Sequence, residues 1–461
     1  MELNTIKQAY FLGIGGIGMS AIARYFNALG LVVMGYDKTE TALTKELTKE
    51  GINIHYQDLG KAIFSLELLK ENCLVILTPA IPPNHLEWLW LKENGFTILK
   101  RSQVLGLITD SYKTIGVAGT HGKTTTSTLI AHILKQSQVD CAAFLGGISS
   151  NYHTNLLLNN SKNETLEQYM VVEADEFDRS FLTLHPTIGI LTSSDADHLD
   201  IYGQHDELKK SFIEYIHQIK ENGWVIVKKE LDILPLIKRQ FLTYSVQNKA
   251  DIYAKNIEIN GDEYSFDLHF KDVTIHQLKL GIPGLHNVEN AVAASAACLL
   301  SGVSHDELRK GLESFAGVKR RFEYIIKTSQ FNFIDDYAHH PEELRAIISS
   351  IKNMYSTRKI VAVFQPHLYS RTRDFADEFA ESLSLLDNIV LLDIYPAREL
   401  PIDGITSQII FNKMTSPVKV LCTKNEAIAE LLKMEPEILL TLGAGDIDQL
   451  VIPLKNIFNH Y

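Results

Sequence analysis

The stretch Lys113-Thr114-Ile115-Gly116-Val117-Ala118-Gly119-Thr120-His121-Gly122-Lys123-Thr124-Thr125 decides the reading of this chain. Its first six residues, apolar and β-rich, read as a strand, and a glycine-bearing loop follows. Beyond the loop, Thr125 to Leu134 reads as a helix with Leu129, Ile130, Ile133 and Leu134 on one face. This succession of strand, glycine loop and helix suits a polyphosphate. Backbone N–H groups of Gly119, Thr120, His121 and Gly122 can face phosphate oxygens, Lys123 supplies a cation for the β- and γ-phosphates, and the Thr124 hydroxyl can ligate Mg2+. The pattern G-x-x-x-x-G-K-[ST] would place its first glycine at Val117, so the loop is a variant of it.

Working outward, the apolar run Met170 to Ala174 carries Glu173 and is followed by Asp175, and Ile188 to Thr192 precedes Asp195-Ala196-Asp197-His198-Leu199-Asp200. Open α/β sheets place ligands at the carboxyl ends of their strands, which makes Glu173 the favoured Mg2+ ligand. His198 is either a second metal ligand or a hydrogen-bonded loop histidine, and the residues alone favour the second. Between Asp251 and Leu280 alternating apolar residues flank Asn260-Gly261-Asp262, the pattern of an antiparallel hairpin added to the sheet.

Toward the N-terminus, runs at Tyr10 to Ile14, Leu31 to Tyr36, Cys73 to Leu77 and Thr97 to Leu99 alternate with helical stretches. Gly13-x-Gly15-x-x-Gly18 follows the first run, and Asp37 ends the second. In a Rossmann unit such glycines let the backbone approach a diphosphate, and the acid accepts from a ribose hydroxyl. Helix packing alone would also account for the glycines. Beyond a glycine and charge cluster at Phe315 to Phe322, strands at Phe331 to Ile334, Ile360 to Phe364, Ile389 to Leu392, Val418 to Leu421 and Ile438 to Leu442 alternate with helices. The expected architecture is three α/β domains. Residues 1–111 form a Rossmann-like unit, 112–317 a P-loop ATPase-like unit with a mostly parallel sheet and added antiparallel strands, and 318–461 a second Rossmann-like unit.

The length of 461 residues fits about three domains. With 45% hydrophobic and 22% charged residues, the chain is neither disordered nor fibrous. Its longest apolar run, near Ala291 to Leu300, is far short of the roughly 20 residues that span a bilayer, so no membrane span is expected. The net charge of -12 opposes nonspecific nucleic-acid binding. Met1 to Thr5 carry no basic signal region, and Cys73, Cys141, Cys298 and Cys422 form no C-x-x-C pair, so a reducing, cytoplasmic setting is expected.

The third unit carries Asp335-Asp336-Tyr337-Ala338-His339-His340-Pro341 and Gln365-Pro366-His367-Leu368-Tyr369-Ser370-Arg371-Thr372-Arg373 after strands, groups suited to capture a small anionic substrate. Taken in order with the glycine loop, G-T-H-G-K-T, Glu173-Ala174-Asp175-Glu176, Asp197-His198-Leu199-Asp200, His286-Asn287-x-x-Asn290 and Arg321-x-Glu323, these motifs resemble the Mur ligases over nearly the whole chain. Mur ligases are the ATP-dependent amino-acid ligases of peptidoglycan precursor synthesis. Gly13 to Ser20, Asp335 to Pro341 and Phe364 to Thr372 are similar to the branch that adds the first residue of the stem peptide. The next branch attaches a preformed tripeptide in cell-wall recycling and usually lacks Gln-Pro-His.

That resemblance implies ligation of L-alanine to the lactyl carboxylate of UDP-N-acetylmuramate through an acyl phosphate, with ATP and Mg2+, or Mn2+ in its place. It implies that Gly119, Thr120, His121, Gly122, Lys123, Thr124 and Thr125 hold the ATP phosphates and that His286 and Asn290 border the adenine. Arg321 and Asp336 would reach ATP, and Thr124, Glu173 and His198 would hold the metal. Gly15, Gly16, Ile17 and Gly18, with Asp37, would take the UDP-sugar, and Tyr337, His339, His367 and Arg371 the amino acid. A homodimer is compatible with this pattern. A nicotinamide-dependent dehydrogenase would explain the first glycine loop and Asp37, but it leaves G-T-H-G-K-T and the third unit without a role.

Overall fold

The computed structural model describes residues 3–159, 168–196, 202–397 and 399–459. Three sheets organise it. The first holds β1 (Gln8–Leu12), β2 (Val32–Tyr36), β3 (Asn53–His55), β4 (Cys73–Leu77) and β5 (Thr97–Lys100), ordered β3-β2-β1-β4-β5 and parallel throughout. Tyr10 lies opposite Met34 on one side and Val75 on the other. Helix α1 (Ile17–Ala28) follows β1, α2 (Ala42–Lys49) follows β2, α3 (Leu86–Glu93) follows β4 and α4 (Arg101–Thr109) follows β5. Connections of this kind keep the carboxyl ends of the strands on one edge.

The second sheet has ten strands: β6 (Lys113–Ala118), β7 (Ala142–Phe144), β8 (Leu156–Leu157), β9 (Tyr169–Glu173), β10 (Ile188–Leu191), β11 (Trp224–Lys228), β12 (Leu242–Ser245), β13 (Ile252–Asn260), β14 (Glu263–Phe270) and β15 (Val273–Leu280). Their order is β15-β14-β13-β12-β11-β10-β6-β9-β7-β8. The pairs from β13 across to β7 are parallel, and β7 with β8 is antiparallel. Two-residue connections join β13 to β14 and β14 to β15, which only antiparallel neighbours can use. The expected hairpin is therefore the start of a three-stranded meander. In β15 the buried residues are Ile275, Leu278 and Leu280, and Gln277, at φ 49°, breaks the two-residue period.

β6 sits between β10 and β9, so the loop after it leaves the sheet at a switch in strand order. The helix it enters, α5 (Lys123–Gln136), is more buried than a one-faced pattern suggests, since every residue from Thr124 to Leu134 is buried. Two of its hydroxyls are satisfied within the helix, Thr128 Oγ1 donating to the Thr124 carbonyl at 2.7 Å and Ser127 Oγ to the same oxygen at 3.2 Å.

The third sheet holds β16 (Glu323–Lys327), β17 (Asn332–Asp336), β18 (Ile360–Phe364), β19 (Asn388–Leu392), β20 (Val418–Cys422) and β21 (Ile438–Leu442). Its order is β16-β17-β21-β18-β19-β20, and β16 alone runs antiparallel. Apolar clusters cover both faces, Ile334, Ala362, Phe364 and Leu440 on one and Phe333, Val361, Val363 and Leu439 on the other. Such two-sided burial gives the continuous apolar runs by which these strands were expected.

Met1–Ala254, with Leu268–Ile275 and Asn290–Leu312, makes one compact unit, and Lys255–Asp267, His276–Glu289 and Glu313–Tyr461 make the other. Within the first, a single apolar cluster runs from Phe11, Ile22 and Phe26 to Ala118, Val172 and Phe212, so the first two sheets share a core. Among the described residues no helix is long and apolar enough to cross a membrane. The four cysteines are free, three of them buried.

Candidate active site

At the carboxyl edge of the second sheet, three neighbouring strands deliver the chemistry: β6 the glycine loop, β9 the acids and β10 a polar turn. Gly122 caps α5 at φ 82°, a conformation that favours glycine, and a Cβ there would lie 2.6 Å from Asn290 Oδ1. Asn290 Oδ1 also accepts from Thr126 Oγ1 at 3.3 Å, which places Asn290 over the loop. Across the loop, Thr192 Oγ1 donates to the Ala118 carbonyl at 3.1 Å, the His121 N–H donates to Ser193 Oγ at 2.6 Å, and Thr120 Oγ1 donates to the Asp195 carbonyl at 2.8 Å. Residues after β10 thus fasten the loop in place.

Lys123 Nζ donates to the carbonyls of Gly119 at 2.7 Å and Thr120 at 3.2 Å, and to Glu176 Oε1 at 2.9 Å. Burial opposes the ammonium, but Glu176, Glu173 and Asp175 together outweigh it and hold the lysine pKa above its ordinary value. Burial pushes the Glu176 carboxyl up to about 7 against the pull of Lys123. Glu176 was not singled out by sequence reasoning. Its only signal was its place in the acidic run after β9, and its burial, with 1% exposure, depends on the tertiary structure. Tyr202 adds to that enclosure, donating its hydroxyl to the Glu176 carbonyl at 2.7 Å.

Glu173, the last residue of β9, packs against Gly146. A Cβ on Gly146 would lie 1.9 Å from Glu173 Oε2, so only glycine leaves room for the carboxylate there. Asp197, His198 and Asp200 lie outside the described residues.

In the first sheet, Gly13, Ile14, Gly15 and Gly16 lead into α1, whose N-terminus has no side-chain cap and so leaves helix N–H groups open to an anion. Asp37 turns inward to this loop, Oδ2 accepting from the Gly15 N–H at 2.7 Å and Oδ1 from Thr39 at 3.1 Å. Gly18 lies under the guanidinium of Arg101, which reaches Asp175 Oδ2 at 3.3 Å. Asn155 joins the two sheets. Its Nδ2 donates to the Ile17 carbonyl at 2.6 Å and to Ser20 Oγ at 2.9 Å, and its Oδ1 accepts from Arg24 at 2.5 Å, while Arg24 also pairs with Glu50.

In the third sheet the loops after β17, β18 and β21 meet. Asp336 is buried, its oxygens accepting from the Phe322 and Ala338 N–H groups at 2.7 Å each, and burial pushes its carboxyl up to about 6 despite Arg321. The guanidinium carbons of Arg320 and Arg321 lie 5.1 and 5.0 Å from the centre of the Tyr337 ring. His339 Nδ1 lies 3.0 Å from the Tyr337 carbonyl and 3.2 Å from Glu343 Oε2, and its ring is 6.0 Å from that of His367. His367 stacks on Tyr395, Arg371 is buried, and Leu368 sits at φ 70°. Gln365 bridges to β21, donating to Asp446 Oδ1 at 2.8 Å and accepting from the Ile447 N–H at 2.9 Å. His286 is half-buried, and desolvation, with Arg321, pushes its imidazole down to about 4. Tyr337, His339 and His367 are therefore brought together, as are Lys123, Glu173 and Asn290.

A diphosphate-type loop in one parallel sheet, a polyphosphate loop with strand-end acids in the next, and a cluster of His, Tyr and Arg in the third define a class. The chain belongs to the Mur ligase family. Residues 8–113 match "Mur ligase family, catalytic domain", 117–298 "Mur ligase middle domain" and 320–445 "Mur ligase, glutamate ligase domain". Among individual proteins, it is 49% identical over 459 residues to a UDP-N-acetylmuramate–L-alanine ligase of Parabacteroides distasonis, covering 99% of this chain and 98% of that one. The crystal structure of a UDP-N-acetylmuramate–alanine ligase from Thermotoga maritima superposes with a TM-score of 0.82 at 27% identity, covering 98% and 99%. A murein peptide ligase from Psychrobacter arcticus shares the fold, with a TM-score of 0.72 at 24% identity over 97% and 98%.

Proposed function

We propose that the protein joins L-alanine to the lactyl carboxylate of UDP-N-acetylmuramate at the expense of ATP, in the cytoplasm. The observation that carries this reading is the likeness to an enzyme of that name over 99% of the chain. A carboxylate resists attack by an amine because its leaving group is poor, so the oxygen must first be phosphorylated. The lactyl carboxylate attacks the γ-phosphate of ATP and ADP departs. The neutral amine of alanine then attacks the acyl phosphate and phosphate leaves.

Lys123 and the loop N–H groups from Gly119 to Thr125 take the negative charge that moves between the phosphates. His286 and Asn290 border the adenine, and Arg321 and Asp336 reach the nucleotide. Gly15, Gly16, Ile17 and Gly18 take the diphosphate of the UDP-sugar. Asp37 takes the UDP-sugar with them, and its carboxylate also accepts from the Gly15 N–H. Tyr337, His339, His367 and Arg371 receive alanine, Arg371 facing its carboxylate. We assign these three tasks to residues 1–111, 112–317 and 318–461. The oxygen donors of Glu173 and Thr124 fit a hard cation, and the space kept open at Gly146 leaves the Glu173 carboxylate where it can serve. Glu173, Thr124 and His198 would hold Mg2+, which when bound neutralises phosphate charge.

The test is release of ADP and phosphate from Mg2+-ATP with UDP-N-acetylmuramate, with and without L-alanine. Release that requires both substrates is expected. Release with a stem tripeptide but not with alanine would move the protein to the recycling branch, and silence with both would refute ligation.

A further inference from the structure

Gly18 needs no positive φ, so its backbone conformation is open to any residue, and the reason for glycine there is space. A Cβ at position 18 would lie 2.7 Å from Arg101 Nη1, 3.2 Å from its Cδ and 3.3 Å from its Cζ. The first turn of α1 is thus cut away to admit a guanidinium. Arg101 begins α4, and this helix is held to the segment after β9. Thr183 Oγ1 donates to the Ser102 carbonyl at 2.8 Å, and a Cβ on Gly106 would lie 2.5 Å from the Thr183 carbonyl oxygen. The cation is therefore placed by packed backbone at both ends of its reach.

Its present partner is Asp175 Oδ2 at 3.3 Å, with the two side chains 22% and 37% exposed. An ion pair this open to water contributes little to stability and exchanges readily for another anion. Asp175 is also one of the carboxylates that hold Lys123 charged, so it stands beside the ATP loop. Arg101 consequently occupies the short path from the N-terminus of α1 to the acids of the ATP site. A substrate whose diphosphate rests on the first loop must carry its carboxylate along that path to be phosphorylated.

We infer that Arg101 binds an oxyanion of the nucleotide sugar, leaving Asp175 for either the diphosphate or the lactyl carboxylate, both of which suit the two-pronged guanidinium. The inference rests on the ligase reading above. In the full-length enzyme, Arg101→Ala raises KM for UDP-N-acetylmuramate about 10- to 100-fold and leaves KM for ATP within about twofold, as loss of a charge-assisted hydrogen bond requires. Arg101→Lys recovers part of the loss. Gly18→Ala, which pushes the guanidinium aside without removing it, shifts the same KM.

Calorimetric titration with UDP and with UDP-N-acetylmuramate locates the oxyanion. Weakened binding of both places Arg101 on the diphosphate, and weakened binding of the second alone places it on the carboxylate. Asp175→Asn separates this role from that of a mere strap. If Arg101→Ala and Asp175→Asn lower the melting temperature together and KM for the nucleotide sugar stays within twofold of wild type, or if both KM values rise in parallel, the inference falls. Wild-type protein that binds neither nucleotide would instead overturn the ligase reading itself.

Discussion

Gly146→Ala isolates the carboxylate of Glu173. The added methyl would lie 1.9 Å from Glu173 Oε2, 2.4 Å from Cδ and 2.7 Å from Oε1, whereas ordinary contact begins near 3.4 Å. The carboxylate must retreat by about 1.1–1.5 Å to clear it. The backbone needs no adjustment, because Gly146 does not occupy the left-handed region, and alanine there slightly restricts the unfolded chain, by about 0.4–1 kcal/mol. That gain offsets part of the strain of moving a flexible side chain. Net stability should stay within about 1 kcal/mol of wild type, a shift of a few degrees in Tm. Activity behaves differently, since a misplacement of about 1 Å at a reacting centre costs on the order of 100-fold. The assay is coupled ADP release at saturating substrates beside a thermal melt. A kcat within threefold of wild type would refute the placement of Glu173 at the reacting phosphates, and a collapse of Tm would refute the claim that the side chain alone yields.

Lys123→Ala should abolish turnover and, by leaving Glu176 buried without its cation, cost about 3 kcal/mol or more in urea unfolding. Adding Glu176→Gln should return the stability but not the turnover, and near-normal turnover in either variant would sink the assignment. Asn155→Ala should cost about 3 kcal/mol, because the buried Arg24 loses an acceptor and α1 two donated hydrogen bonds. A loss below about 0.5 kcal/mol would show that the first two sheets do not depend on this joint. Burial holds the His132 imidazole down to about 4, so as pH falls from 6.5 to 4 the unfolded chain gains a proton that the folded one refuses. Relative to His132→Gln, wild type should lose about 3 kcal/mol across that window in denaturant titrations, and a constant difference would refute it.

The parallel strands were legible wherever both faces are buried, because Ile115 to Ala118, Ile360 to Phe364 and Ile438 to Leu442 are then apolar without interruption. Three-residue strands such as β3 and β7 carry no period of their own and exist through their neighbours in the sheet. β11 has a strand signal in Val225-Ile226-Val227, and only the sheet shows its place beside β10. At the site, the glycine loop and strand-end acids announce themselves because phosphate chemistry needs fixed residue types at fixed spacing. The pairings Lys123 with Glu176, Arg101 with Asp175 and Arg24 with Asn155 span 53, 74 and 131 residues. Nothing local encodes them. Asp37 meets the Gly15 N–H across 22 residues in the same way, a contact that its position after β2 does not announce.

The ammonium of Lys123 is already satisfied by two carbonyls of its own loop and by Glu176. Nucleotide capture is on these terms an exchange reaction, and the affinity for ATP is the difference between two occupied states. A lone small anion offers the lysine little that the glutamate does not already give, whereas a triphosphate engages the loop N–H groups at the same moment. Selectivity for long polyanions is thereby built into the resting loop, before any base or sugar has been read.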